Sequence, residues 1–189
     1  MVKCNSSCQF RAPQSWKGYT YVLIEYCAPS DSSLCTPSSH NERCYMVRCA
    51  EDDDMTDPIS LQNLCDFISR VPKNVVVFLW AGIPCTGGST AQNGNRHRDD
   101  FRGKMAKHYT LWHKLFNNFV TLTSHVLRRK GHVTIEWPAS CMYWKDPSVV
   151  QLLSSPIWSD VRLNGCAYGL KVESGANCGK FVAEPGRLL

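Results

Sequence analysis

The sequence predicts an α/β protein in which a mostly parallel sheet carries helices on both faces, a three-layer arrangement. The first observation is a short, uninterrupted apolar run from Val75 to Ala81. Such a β-branched run is typical of a strand buried on both faces, as in parallel sheets. The second observation is a long helical stripe between this run and the next apolar run, His132 to Pro138. Strand, helix and strand in this order indicate a right-handed crossover between neighbouring strands.

The composition indicates one globular domain over residues 1–189, with a polar lead-in at 1–19 and no separate recognition domain. Hydrophobic residues make up 43% of the chain and charged residues 20%, which is ordinary for globular proteins. No apolar run reaches the ~18 residues that cross a membrane, and the N-terminus lacks the apolar core of a secretory signal. We therefore expect an intracellular protein, in cytoplasm or nucleus, with no membrane partner. The net charge of +5 permits nucleic-acid binding without requiring it.

The eleven cysteines are an odd number, and several fall inside predicted strands or helices, namely Cys44, Cys49 and Cys65. In a reducing compartment such cysteines act as small hydrophobic residues. Cys4 and Cys8 do not form a pair of pairs with the two-residue gap of zinc sites, so no metal site is predicted.

The first predicted strand, Tyr21 to Tyr26, runs into a turn of small residues in which Ser30 or Asp31 is a candidate helix cap. A strand followed by a tight turn and a helix start is an arrangement that receives nucleotide-like ligands. An ordinary strand-to-helix turn fits these residues equally well. The candidate ligand-binding residues at this strand end are Glu25, Tyr26, Ser30 and Asp31.

The second predicted strand, Cys44 to Cys49, leads into an acidic run from Glu51 to Asp54. An acidic residue just past a strand can accept hydrogen bonds from a ribose or an adenine amino group, and Asp53 is the candidate here. The alternative is a solvated loop. Asp57 and Pro58 then begin a helix whose apolar face continues to Val71.

The strand Val75 to Ala81 is followed by a turn-rich segment headed by Pro84 and Cys85. Ligands sit just past the carboxyl ends of parallel strands, so Cys85 is a candidate nucleophile; the alternative is a buried thiol in a tight loop. A polar, basic loop follows, which suits a phosphate-bearing substrate or is simply a solvated loop. The candidate substrate-binding residues are Ser89, Arg96, Arg98 and Arg102.

A helix from about Asp100 to Arg129 carries an aromatic packing stripe and is stopped by Gly131. The strand His132 to Pro138 ends in Glu136 and is expected beside the strand that precedes Cys85, so that a thiol and a carboxylate share one rim. The remaining predicted elements are a short helix from Asp146 through Leu153, a strand within 158–163 and a last strand near Phe181 and Val182.

The segment Gly82-Ile-Pro-Cys-Thr-Gly-Gly-Ser89 resembles the Pro-Cys loop of the C5-cytosine DNA methyltransferases. A basic loop, a long helix and a strand ending in Glu follow in the same order, with Glu136-Trp-Pro where that family has Glu-Asn-Val. The resemblance covers Val75 to Pro138, about a third of the chain. It implies a Rossmann-like methyltransferase fold, cytosine in DNA rather than RNA as substrate, and Cys85 as the nucleophile with Glu136 at N3.

The same resemblance implies S-adenosylmethionine as cofactor, held by Glu25, Tyr26, Ser30, Asp31, Asp53 and Pro84. The chain departs from the family at its Phe-x-Gly-x-Gly cofactor loop, where Cys27-Ala-Pro-Ser30 stands instead. It also has one predicted strand between Tyr26 and Val75 where the family has two. Two alternatives therefore stay open. One is a catalytically inactive relative that binds nucleic acid or a partner. The other is a different Cys-dependent hydrolase or transferase, with His97 or His132 as the base.

Overall fold

The computed structural model describes residues 10–29, 32, 34, 43–164 and 185–189. The chain forms two compact units. The first comprises Met1–Pro84 and Thr110–Thr134, and the second comprises Cys85–Tyr109 and Ile135–Leu189. One helix, α2 (Phe101–Arg128), and one strand, β4 (His132–Pro138), contribute residues to both units. A single domain over the whole chain stays a prediction.

The first unit is built on three parallel strands, β1 (Tyr21–Tyr26), β2 (Cys44–Cys49) and β3 (Val76–Ala81), with β1 in the middle. They pair in full register, so that Tyr26 lies opposite Cys49 on one side and Ala81 on the other. β4 follows β3 in the strand order, as the crossover predicted. Because β1, β2 and β3 are parallel and in register, their carboxyl ends reach the same edge of the sheet.

Alternation of side chains gives the sheet of the first unit two unlike faces. Val77 and Leu79 on one face are fully buried, and this face packs against helices because the rings of Tyr26 and Phe119 lie 6.3 Å apart and those of Tyr45 and Phe67 lie 6.4 Å apart. The opposite face of β3 is only half-buried. The prediction that β3 is buried on both faces was wrong, since its two faces differ in burial. Phe119 of α2 and Phe67 of α1 (Pro58–Arg70) both pack on the buried face.

The helices begin and end where their capping residues predicted. The Asp57 carboxylate accepts a hydrogen bond of 3.0 Å from the Ser60 amide at the start of α1. Gly131 follows α2, and a Cβ there would lie 2.5 Å from the Val77 carbonyl oxygen, so only glycine fits this close approach to β3. No helix among the described residues is long and apolar enough to cross a membrane.

The second unit pairs its strands in the opposite sense. β6 (Pro185–Leu188) runs antiparallel to both β4 and β5 (Val161–Asn164), and Glu136 lies opposite Leu188. α3 (Pro147–Leu153) begins at its predicted cap, Asp146. The predicted strand at Phe181 and Val182 lies outside the described residues. The α/β class is thus confirmed, while the three-layer arrangement stays a prediction.

Candidate functional site

A cavity of about 450 Å³ lies at the carboxyl ends of the parallel strands in the first unit. β2 lies on one side of β1 and β3 on the other, so the chain order reverses at β1. Crevices at such a reversal are where open α/β sheets bind their ligands. The cavity is lined by segments that follow β1, β2 and β3 and by one turn of α2, namely Cys27, Ala28, Pro29, Ala50, Glu51, Asp54, Met55, Thr56, Pro84, Leu111 and Leu115.

The turn after β1 is made without glycine. Cys27 has a φ of 60°, in the left-handed region that favours glycine, and the Ala28 amide donates to the Cys49 carbonyl at 3.1 Å. Cys27 thus makes a sharp turn at the cavity wall where the sequence lacks a glycine loop. Burial raises the pKa of Cys27 to about 12, so its thiol is neutral at ordinary pH.

The acidic residues after β2 have different tasks. Asp53 is 4% exposed and its Oδ2 accepts a 2.8 Å hydrogen bond from the Ala50 amide, which fixes its own turn. Glu51 and Asp54 are exposed and line the cavity instead. Asp54 also accepts hydrogen bonds from the amide and hydroxyl of Thr56. Asp53, the residue predicted to bind a ligand, is not among the described lining residues, whereas its neighbours Glu51 and Asp54 are.

The residues predicted at the end of β1 form hydrogen bonds to neighbouring segments. Glu25 is 5% exposed and accepts hydrogen bonds from Ser32 Oγ and, at 3.4 Å, from Arg48 Nε. Tyr26 is fully buried, and its hydroxyl donates to the Leu115 carbonyl at 2.9 Å. Neither is among the described lining residues, whereas Pro84 is one of them. The predicted residues Ser30 and Asp31 lie outside the described residues.

Cys85 meets a second thiol within the second unit. It is half-buried and begins a short 3₁₀ turn, and Gly88 of that turn packs against the sulfur of Cys141, which follows β4. The hydrogen bond to Cys85, together with burial, raises the pKa of Cys141, so Cys141 keeps its proton. Tyr143 packs against Gly88 beside the Cys141 sulfur, and burial raises the pKa of its hydroxyl.

Glycine makes this packing possible. A Cβ on Gly88 would lie 2.9 Å from both the sulfur of Cys141 and Cγ of Tyr143. The absence of a side chain on Gly88 lets the turn after Cys85 approach these two side chains.

Glu136 is half-buried in β4, two residues before Pro138. The next side chain, Trp137, is 1% exposed and packs edge-on against Trp144 with ring centroids 4.8 Å apart. This aromatic contact anchors the turn that carries Cys141 and Tyr143. The assignment of Glu136 to N3 of a base stays a prediction.

Two of the four predicted substrate residues share a cavity in the second unit. Ser89 and Arg96 both line a space of about 340 Å³, whose described walls are Gly87, Gly88, Ser89, Thr90, Gln92, Asn93, Arg96, Phe101, Met105 and Met142. Arg98 instead lines a smaller cavity of about 120 Å³, and its Nε lies 3.7 Å from Oδ1 of Asp100. Arg102 is exposed on α2.

Sequence reasoning missed Cys141 and Tyr143, although both follow closely on the strand end that carries Glu136. Their signal is that position, because side chains just past neighbouring strands meet at one edge. No group of three His, Cys, Asp or Glu side chains in the described parts of the chain is placed to hold a metal ion. Comparisons with known protein families, curated proteins and solved structures give no match to this chain.

Proposed function

We propose that the protein is an S-adenosylmethionine-dependent methyltransferase that acts on cytosine in nucleic acid, DNA rather than RNA, with Cys85 as nucleophile. The proposal includes a three-layer, Rossmann-like methyltransferase fold. The observation that supports it best is the cavity at the ends of three parallel strands, where Pro84 is part of the wall and Cys85 is the next residue of the chain. Cofactor and nucleophile assignments thus both depend on the end of β3.

The cavity suits the cofactor in size and chemistry. Its volume of about 450 Å³ lies within the range of small-molecule sites. Its apolar walls, with Met55, Leu111 and Leu115, suit a purine ring, and Glu51 and Asp54 can accept hydrogen bonds from ribose hydroxyls and face a sulfonium charge. S-adenosylmethionine bound there would supply an electrophilic methyl group.

The residues of the chain would activate the base. Carbon 5 of cytosine is a poor nucleophile, and addition of the Cys85 thiolate to carbon 6 converts the ring into an enamine. Glu136 would hold a proton at N3, where negative charge develops during the addition. Carbon 5 of this enamine would accept the methyl group that the cofactor supplies, with S-adenosylhomocysteine as the leaving group, and loss of the carbon 5 proton and elimination of the Cys85 thiolate would then restore the ring. A base within a duplex must be flipped out to reach Cys85.

The cavity of Ser89 and Arg96 suits a nucleotide. The guanidinium of Arg96 can bind a phosphate in bidentate fashion. The side-chain amides of Gln92 and Asn93 can donate and accept hydrogen bonds. Arg98 and Arg102 add positive charge in the same segment.

Calorimetry with S-adenosylmethionine tests the cofactor assignment. The wild-type protein should bind, and Glu51→Gln should bind about tenfold more weakly, because a hydrogen bond to a charged acceptor is lost. Asp52→Asn is the matched control, since Asp52 is an exposed neighbouring acid that does not line the cavity. No binding by the wild-type protein would contradict the proposal.

Trapping with a 5-fluorocytosine oligonucleotide tests the nucleophile, because fluorine at carbon 5 prevents release of the adduct. A covalent adduct should form in the wild-type protein and be absent in Cys85→Ser. Cofactor binding without any adduct would favour a catalytically inactive nucleic-acid-binding protein. A reactive Cys85 without cofactor binding would favour another Cys-dependent hydrolase or transferase.

A further inference from the structure

Two tight turns of the second unit hold Cys85 and Cys141 against each other. The first is closed by the Gly88 amide, which donates to the Cys85 carbonyl at 2.9 Å, and the second by the Cys141 amide, which donates to the Pro138 carbonyl at 2.9 Å. The Cys141 sulfur lies so close to Gly88 that a Cβ on this glycine would be 2.9 Å from it. The backbone of the turn that begins at Cys85 is therefore in close contact with the Cys141 sulfur.

The two thiols differ in their access to water. Cys141 is 3% exposed, whereas Cys85 is half-buried. Burial disfavours an anion, so the first proton to leave the pair leaves Cys85, and Cys141 keeps its S–H. The raised pKa of Cys141 agrees with this order.

We propose that Cys141 is a positioning residue for Cys85, whose buried S–H donates a hydrogen bond to the Cys85 sulfur and stabilises its thiolate. A thiol is a weak donor, but a charged acceptor strengthens the bond. The benefit to catalysis rests on the proposed function. The effect on the Cys85 thiolate does not, because it needs neither cofactor nor nucleic acid.

Other titratable groups face this pair from three neighbouring segments. The Tyr143 ring packs at Gly88 beside the Cys141 sulfur. The ring of Tyr109 lies 6.3 Å from that of Tyr143, and the Asp146 amide donates to the Tyr143 carbonyl at 3.0 Å. The Tyr109 hydroxyl donates to Asp146 Oδ2 at 2.9 Å. His108 adjoins the turn at Gly87. These groups are the same in every variant below, so a difference between variants reports on Cys141.

The test is the rate of Cys85 alkylation by iodoacetamide as a function of pH in the full-length protein. The tryptic peptide 74–96 contains Cys85 as its only cysteine, so mass spectrometry follows this residue alone. Cys141→Ala should shift the midpoint of the profile upward by about one pH unit, a roughly tenfold slower reaction at neutral pH. Cys141→Ser keeps a hydroxyl donor and should keep the wild-type midpoint.

Cys65→Ala is the matched control, because Cys65 is an equally buried cysteine in α1 of the first unit. Its profile should be that of the wild-type protein. An unshifted profile in Cys141→Ala overturns the inference, and so does an equal shift in Cys141→Ser, which would indicate packing rather than hydrogen bonding. Failure of cofactor binding leaves this inference intact, and an unshifted profile leaves the cofactor assignment intact.

Discussion

The cavity at the strand ends of the first unit and the thiol pair of the second unit are built by different means. The cavity is walled by residues that simply follow β1, β2 and β3, and its place is set by parallel pairing. The thiol pair depends on side chains from two separate turns, packed so closely that a Cβ on Gly88 would lie 2.9 Å from the Cys141 sulfur. Topology alone creates the first region, whereas detailed packing creates the second.

The largest expected effect concerns the aromatic support of the thiol pair. Trp137→Ala removes a fully buried indole that contacts Trp144 and Tyr143. We expect the free energy of unfolding to fall by about 3–5 kcal/mol, measured by chemical denaturation. Met142→Ala is the control, since Met142 is 53% exposed and its loss should change stability by no more than about 0.5 kcal/mol. If the two substitutions lowered the free energy of unfolding equally, the turn after β4 would not depend on the packing of Trp137.

The contrast between the regions also explains what the sequence predicts. Strands, long helices and the caps at Asp57 and Asp146 follow from local patterns and agree with the structure within a few residues. Pro84, which the resemblance implies as a cofactor contact, lies in a cavity wall, because strand ends of a parallel sheet share an edge. Position past a strand end thus predicts which segments form the wall, and not which residues.

Side-chain direction in short turns is not encoded by such patterns. Asp53 and Asp54 are adjacent, yet one caps its own turn and the other lines the cavity. The half-buried face of β3 depends on where α1 and α2 pack, which hydrophobic periodicity does not reveal. The meeting of Cys85 with Cys141 joins residues far apart in sequence, and no local signal specifies which of several cysteines approaches.

A second prediction compares the thiols of the two regions, because only a thiolate reacts with iodoacetamide. Burial raises the pKa of Cys27 from 9.0 to about 12, which leaves about one thiolate in ten thousand at pH 8. We expect Cys27 to be alkylated at least about 100-fold more slowly than Cys85 at this pH. Site-resolved mass spectrometry measures both rates, and similar rates would contradict the pKa of Cys27.

The same shift predicts how stability responds to alkaline pH. Folded protein holds a proton on Cys27 that the unfolded chain releases, so this contribution is complete below pH 9 and is lost as the pH rises to about 12. Cys27→Ala should therefore flatten the decline of unfolding free energy across that window. If the unfolding free energy of Cys27→Ala declined as steeply as that of the wild-type protein, groups other than Cys27 would cause the decline.

The smallest expected effect separates close packing from ordinary contact. Gly88→Ala places a Cβ 2.9 Å from the Cys141 sulfur and the Tyr143 ring, and we expect unfolding free energy to fall by about 1–3 kcal/mol. The Cβ of Gly82→Ala, just after β3, would lie an ordinary 3.8 Å from the Cys27 carbonyl oxygen, and that of Gly94→Ala would lie within 4 Å of no described atom. Both should be neutral or gain up to about 1 kcal/mol, because alanine restricts the unfolded chain. If thermal and chemical denaturation gave Gly88→Ala the same stability as these two controls, the two turns could move apart to accommodate the added Cβ. The hydrogen bond between Cys85 and Cys141 would then lack the backbone constraint that holds it in place.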